Sequence, residues 1–175
     1  MKSTIEHPKV FISYAWGSED YRLKVRSFAT DLMENGIDVL LDQWSLKEGN
    51  DTYAFMEQSV TDQTITNVLI LLDPIYEKKA NGRNGGVGTQ IISPEIYNKV
   101  KQEKFLPVIF ERGENGEIPK PQYLKTMLHF DLSQEEKYDS EYQRLVKRLY
   151  GIEIVEKPEL GKKPSWLEEK SIIPT

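Results

Sequence analysis

The chain has 175 residues, 38% of them apolar, which is enough for one domain with its own core and too few for two comfortable ones. Lys and Arg number 23 against 28 Asp and Glu, a net charge of −5. That excludes a generally basic nucleic-acid binder, because no surplus positive charge is available to displace phosphate counterions.

The first strand is predicted over Lys9-Val10-Phe11-Ile12-Ser13-Tyr14, a β-branched and aromatic run between Pro8 and the polar loop Ala15 to Glu19. From Asp20 the period changes: Tyr21, Val25, Phe28 and Leu32 share one face of a helix that Asn35-Gly36 stops. Ile37 to Leu41 reads as a second strand, and Asp42 to Gly49 as a long loop mixing an aromatic with both signs of charge. Asp51 to Asp62 is predicted helical, with Phe55, Met56, Ser59 and Val60 on one side. Thr66 to Leu72 is the most apolar strand, and its unbroken run implies burial on both faces, as in a central parallel strand. The Gly- and Asn-rich stretch Asn81 to Gly88 lacks the Gly-Lys-Ser/Thr ending of a phosphate-binding loop and reads as a surface loop. Ser93-Pro94-Glu95 opens a helix, with Ser as cap, Pro at the first helical position and an acid in the first turn. Phe105 to Phe110 and Met127 to Leu132 are the fourth and fifth strands, the latter carrying His129 as a core or edge residue. Tyr138, Tyr142, Leu145 and Leu149 mark a last amphipathic helix.

Alternating strands and helices require crossover connections, hence a parallel sheet with helices on both faces. The expected fold is α/β, a flavodoxin-like three-layer sandwich whose five-stranded parallel sheet has the order 2-1-3-4-5. Residues 1–8 read as a leader, 9–150 as the domain, and 151–175, interrupted by Pro158, Pro164 and Pro174, as a strap or linker. The longest apolar runs are too short to cross a bilayer, and the opening MKSTIEHPK lacks the apolar core of a signal peptide. The expectation is a cytoplasmic chain without direct membrane or nucleic-acid partners. Cysteine is absent, and the two histidines, His7 and His129, stand in no ligand spacing. Disulfides, cysteine nucleophiles and a histidine metal site lose their support together.

In such a sheet ligands sit at the carboxyl ends of the strands. These ends offer Ser13, Tyr14 and Trp16, then Asp42 to Gly49, then Asp73. A phosphoacceptor receiver needs an acidic pair after the first strand to hold magnesium; here that position reads Ser13-Tyr14-Ala15, which argues against one. Glu95 is a carboxylate at a helix start, where the dipole and free amides favour its ionised form.

The stretch KVFISYAWGSED, followed by a helix and Gly36-Ile37-Asp38-Val39, resembles the opening of a TIR domain, especially its SEFIR-like branch. Asp42, Leu46 and Gly49 match the spacing of that family's loop after the second strand. VLILLDPIYEKKAN is similar to its third strand and following segment, and SPEIY resembles the start of the helix carrying the catalytic glutamate of NAD-cleaving members. The similarity spans Lys9 to Tyr150.

The resemblance implies either an NAD+ glycohydrolase, active when self-assembled, or a non-catalytic adaptor that works by homotypic association. For the enzyme it implies Glu95 as catalytic residue at the nicotinamide ribose. It implies Ser13, Tyr14 and Trp16 along the cleft, and Asp42, Trp44, Lys47 and Gly49 in a loop that covers it and mediates assembly. NAD+ is then substrate rather than cofactor, and no metal is called for. A sensor domain or partner protein as trigger, and a role in intracellular immune or cell-death signalling such as antiviral defence, are further expectations of the same resemblance. One carboxylate suffices for the chemistry: nicotinamide leaves neutral, without a general acid, and the oxocarbenium-like ribosyl centre needs a facing negative charge. Two departures stand out. Ile91 replaces a Trp often found four residues before the glutamate, and Ala15 and Trp16 replace basic residues after the first strand. Trp16 and Trp44 are the expected substitutes for the missing stacking surface.

Overall fold

The structure is a computed structural model that describes residues 5–82 and 91–169. Strand β1 (Lys9–Tyr14) lies between β2 (Asp38–Leu40) and β3 (Asn67–Leu72), and β3 is followed by β4 (Phe105–Ile109) and β5 (Phe130–Asp131). All four pairings are parallel, with Phe11 opposite Val68 and Leu71 opposite Val108 at the centre. The order is 2-1-3-4-5, as expected of the flavodoxin-like fold, and every residue of β3 is buried.

The period of two along the strands divides the core into two layers. Val10, Ile12, Leu69 and Leu71 pack on one face with Val25, Phe28 and Leu32 of α1 (Glu19–Glu34) and Leu145 and Leu149 of α6 (Tyr138–Leu149). Phe11, Val68, Ile70 and Leu72 pack on the other with Met56 and Val60 of α3 (Thr52–Thr61), Tyr76 of α4 (Pro74–Ala80) and Ile96 of α5 (Pro94–Tyr97). Burial of a side chain of this size is worth about 1.5–3 kcal/mol, so these layers hold the sheet ends, and the loops upon them, in place.

Helix α1 starts two residues earlier than its apolar stripe suggests, because Ser18 caps it through a bond from Tyr21 N. It ends at Gly36, whose φ of +84° suits glycine; a Cβ there would lie 2.5 Å from the Tyr150 hydroxyl. That hydroxyl donates to Asn35 O at 2.6 Å, tying the end of α6 to the end of α1.

Two expectations need correction, and one helix is unannounced. Asp42 to Gly49 is not all loop: Asp42–Ser45 forms a single helical turn, α2. The unannounced helix is α4, directly after β3, capped by Asp73 with Pro74 in its first turn. The fifth strand shrinks to two residues, and half-buried His129 lies just ahead of it. Most of the Gly-rich loop expected at Asn81 to Gly88 falls outside the described residues. From Gly151 to Glu168 every residue is exposed, and the one regular element there is the short helix α7 (Ser165–Glu169).

Both margins of the sheet are taken up locally. On β5, Asp131 N donates to Glu141 Oε2 at 3.1 Å. On β2, Val39 N meets the sulfur of Met33 at 3.1 Å.

Candidate functional site

Among the described residues, two cavities hold residues singled out from sequence. The first, about 340 Å³, lies where the loop after β1 meets α1 and the segment after β2. Asp42, at the start of α2 and almost fully buried, accepts from Trp16 Nε1 at 2.7 Å, fixing the indole. The Arg22 guanidinium lies over the Trp16 ring at 5.6 Å. Gln43 donates to the Tyr14 hydroxyl at 2.9 Å and to Arg22 O at 3.1 Å, and its own oxygen accepts from Arg26 at 3.4 Å. Burial first, and then the neighbouring Asp42 carboxylate, push the Tyr14 phenol up so that it stays protonated. Arg22, Arg26 and Lys47 thus line one polar cavity with Trp16, Asp42 and Gly49.

The second cavity, about 560 Å³, is bordered by the end of α4, the start of α5 and the 3-10 turn Gln122–Leu124. Glu95 lines it from the first turn of α5. Ser93 caps that turn by accepting from Ile96 N at 3.3 Å, leaving the Glu95 side chain exposed. The chain leading into the cap is irregular and buried at Ile91 and Ile92, where an unpaired backbone group would be expensive. Two phenols meet the need: Ile92 N donates to the Tyr76 hydroxyl at 3.0 Å, and the Tyr123 hydroxyl donates to Ile92 O. Tyr76, fully buried and pushed up to about 12 by that burial, also bonds Ser13 Oγ at 2.8 Å.

Asp73 caps α4 by accepting from Tyr76 N at 2.8 Å. Burial, and secondarily the nearby Glu111, raise its pKa to about 6. The described residues hold no cluster of His, Asp and Glu able to bind a metal ion, and no described helix is long and apolar enough to cross a membrane.

The residues singled out from sequence therefore divide. Trp16, Asp42, Lys47 and Gly49 meet at the first cavity, while Glu95 stands at the second. Ser13 and Tyr14 are fully buried and act beneath the surface, Ser13 toward Tyr76 and Tyr14 toward Gln43. Trp44 is 40% exposed and lines neither cavity. Trp16 and Trp44 thus do not border the cavity of Glu95 where a substitute stacking surface was expected, and Ile91 is buried. Sequence reasoning missed Arg22, Arg26, Tyr76 and Tyr123. For Tyr76 a signal existed, since Asp73-Pro74 has the same cap-then-proline form as Ser93-Pro94; for Tyr123 there was none.

A five-stranded parallel sheet of order 2-1-3-4-5 with helices on both faces defines the flavodoxin-like class of α/β domains. Within that class, the sequence model of the SEFIR domain matches residues 8–139. The crystal structure of a prokaryotic SEFIR domain is 41% identical over 89% of this chain and 99% of that one, with a TM-score of 0.73. This chain belongs to the SEFIR domain family. The TIR domain of the Toll-related receptor TRR-2 from Hydra magnipapillata shares the fold, at 15% identity over 80% of this chain and 96% of that one, with a TM-score of 0.53. No curated protein matches the sequence.

Proposed function

We propose that this SEFIR domain is a self-associating cytoplasmic signalling module that cleaves NAD+ at Glu95. The observation that carries the reading is an exposed carboxylate in a capped first helical turn, on the wall of a cavity of about 560 Å³. A dinucleotide bound with its nicotinamide ribose there meets a negative charge where the ribosyl cation develops. The bond from C1′ to the ring nitrogen breaks, its electron pair stays with the nitrogen, and neutral nicotinamide departs. Water adds at C1′ and releases a proton, giving ADP-ribose; an adenine nitrogen adding instead gives a cyclic nucleotide messenger. The described lining of this cavity contains no Lys or Arg, whereas Arg22, Arg26 and Lys47 line the other. A pyrophosphate requires cations, and a neighbouring copy's cationic cavity would provide them. Turnover per molecule should therefore rise with protein concentration.

The absence of Lys and Arg from the described lining of this cavity favours a second reading, an adaptor that only self-associates. The deciding experiment is NAD+ turnover by wild type and Glu95→Gln across a range of protein concentrations, with products resolved by chromatography. No cleavage by the wild type at any concentration, alongside measurable self-association, establishes the adaptor.

A further inference from the structure

Cleavage at Glu95 needs something to hold the planar, positively charged nicotinamide ring beside it, and neither tryptophan near the strand ends is at that cavity. Tyr123 is the one aromatic residue among its described lining. The surrounding contacts fix this side chain. Its hydroxyl is committed to the buried Ile92 carbonyl, which leaves the ring as the part bordering the cavity. Behind it the Tyr97 ring packs at 5.1 Å and 57°, and Phe105 supports Tyr97 at 5.0 Å. The turn that carries it is tied to the opposite wall by Gln122 N donating to Asn81 Oδ1 at 3.0 Å. Burial and the adjoining Tyr76 hold the Tyr123 phenol in its protonated form, so the bond to Ile92 persists wherever the protein is folded.

We propose that Tyr123 is the wall on which the nicotinamide ring of NAD+ stacks, its ring backed by Tyr97 beside the segment that leads into Glu95. This deepens, and rests on, the reading of Glu95 as the residue that cleaves NAD+. A pyridinium carries its charge in the ring, and the face of a tyrosine attracts a cation. That attraction exists in the bound substrate and fades as the bond electrons return to the ring nitrogen. Tyr123 therefore holds the ground state and lets the neutral product go, and its loss should raise KM without lowering kcat. The same residue also confers a preference for oxidised over reduced dinucleotide, since the dihydropyridine of NADH is uncharged.

The test uses the full chain in the Glu95→Gln background, titrated with NAD+ and NADH, and follows the nicotinamide ring protons by NMR. The expected result is tighter binding of NAD+ than of NADH, with the NAD+ ring protons shifted upfield. Adding Tyr123→Leu should weaken NAD+ about tenfold or more and erase the preference, while Tyr123→Phe should retain both. In the catalytic background, Tyr123→Leu should raise KM without lowering kcat. Undiminished NAD+ binding by the folded Leu variant overturns the assignment and leaves the reading of Glu95 standing. Equal loss in the Phe and Leu variants overturns it too, because the hydroxyl alone would then matter. Should the Leu variant not fold, absence of the upfield shift with Glu95→Gln overturns it independently. A wild type that neither cleaves nor binds NAD+ removes the reading of Glu95 and this assignment with it.

Discussion

The cavity around Trp16 and Asp42 and the cavity beside Glu95 are built on opposite plans. Around Trp16 and Asp42, side chains from three segments bind one another, and the cavity they enclose is rich in charge. Around Glu95, side chains bind the backbone: two phenols, that of Tyr76 fully buried, satisfy one irregular residue, Ile92, and a single carboxylate stands exposed beside them. Charged side chains lining an open cavity form a recognition surface that can adjust to what meets it. A backbone held by phenol hydroxyls on both its N–H and its C=O is fixed, and a fixed frame is what a group acting on a developing charge requires. Under the proposed function, the first region would serve ligand capture and association and the second the chemistry.

The sharpest break between the two regions is predicted at Glu95. Glu95→Gln should lower NAD+ turnover by about 10² to 10³ while thermal melts remain those of the wild type, since the side chain is exposed. Retained turnover by the folded variant would end the division proposed here.

Next in size is Tyr76→Phe, which strips Ile92 N and Ser13 Oγ of the hydroxyl between them. Leaving a buried donor unpaired should cost about 1–3 kcal/mol in urea unfolding, with faster amide exchange at Ile92. Gln43→Leu, in the other region, should cost about 0.5–1.5 kcal/mol and leave that exchange unchanged.

Asp73, the cap of α4, gives the glutamate region a dependence on pH. Its folded pKa of about 6 lies above the ordinary aspartate value of 3.8. Between about pH 4 and 6 the folded protein therefore keeps a proton that the unfolded chain has released, and stability falls as pH rises through that window. The loss should amount to about 1–3 kcal/mol, read by urea unfolding at successive pH values. Asp73→Asn keeps the cap, since Asn serves as well there, and should flatten the slope; a slope that persists assigns it to another group.

The smallest effect on stability is expected at Trp44, which lies beside the first region and lines neither cavity. Trp44→Ala should change unfolding free energy by less than about 0.5 kcal/mol yet weaken self-association in analytical ultracentrifugation. An unchanged association would move the contact surface elsewhere.

How far the sequence disclosed this arrangement depended on whether a local pattern carried it. The run through Leu72 and the stripe Tyr21, Val25, Phe28 and Leu32 announced β3 and α1 because burial there repeats with the period of the element. Helix α4 buries only Tyr76 and Ala80, too few for a stripe, so its cap signature passed unread. Strand β5 ends after two residues because Ser133 turns back to the Asp131 carboxylate, its N and Oγ both bonding Oδ1. Glu95 was legible as a helix-start residue with a local signature. The bond from Trp16 to Asp42 spans 26 positions and that from Tyr123 to Ile92 spans 31. Neither leaves a trace in the local pattern, so the division into two cavities emerged only from the tertiary structure.

The closed margins of the sheet bear on how copies of this domain can accumulate. A strand edge with free amides is a template on which a further chain can extend the hydrogen-bond ladder. Here Glu141 occupies the amide of Asp131 on one side, and the Met33 sulfur covers that of Val39 on the other. Under the proposed self-association, copies would meet through helices and loops, as complete folded units joined by side-chain contacts. An assembly of that kind would grow and shrink with the supply of subunits and dissolve on dilution, where a cross-β fibre would persist. A signal built from it could be switched off.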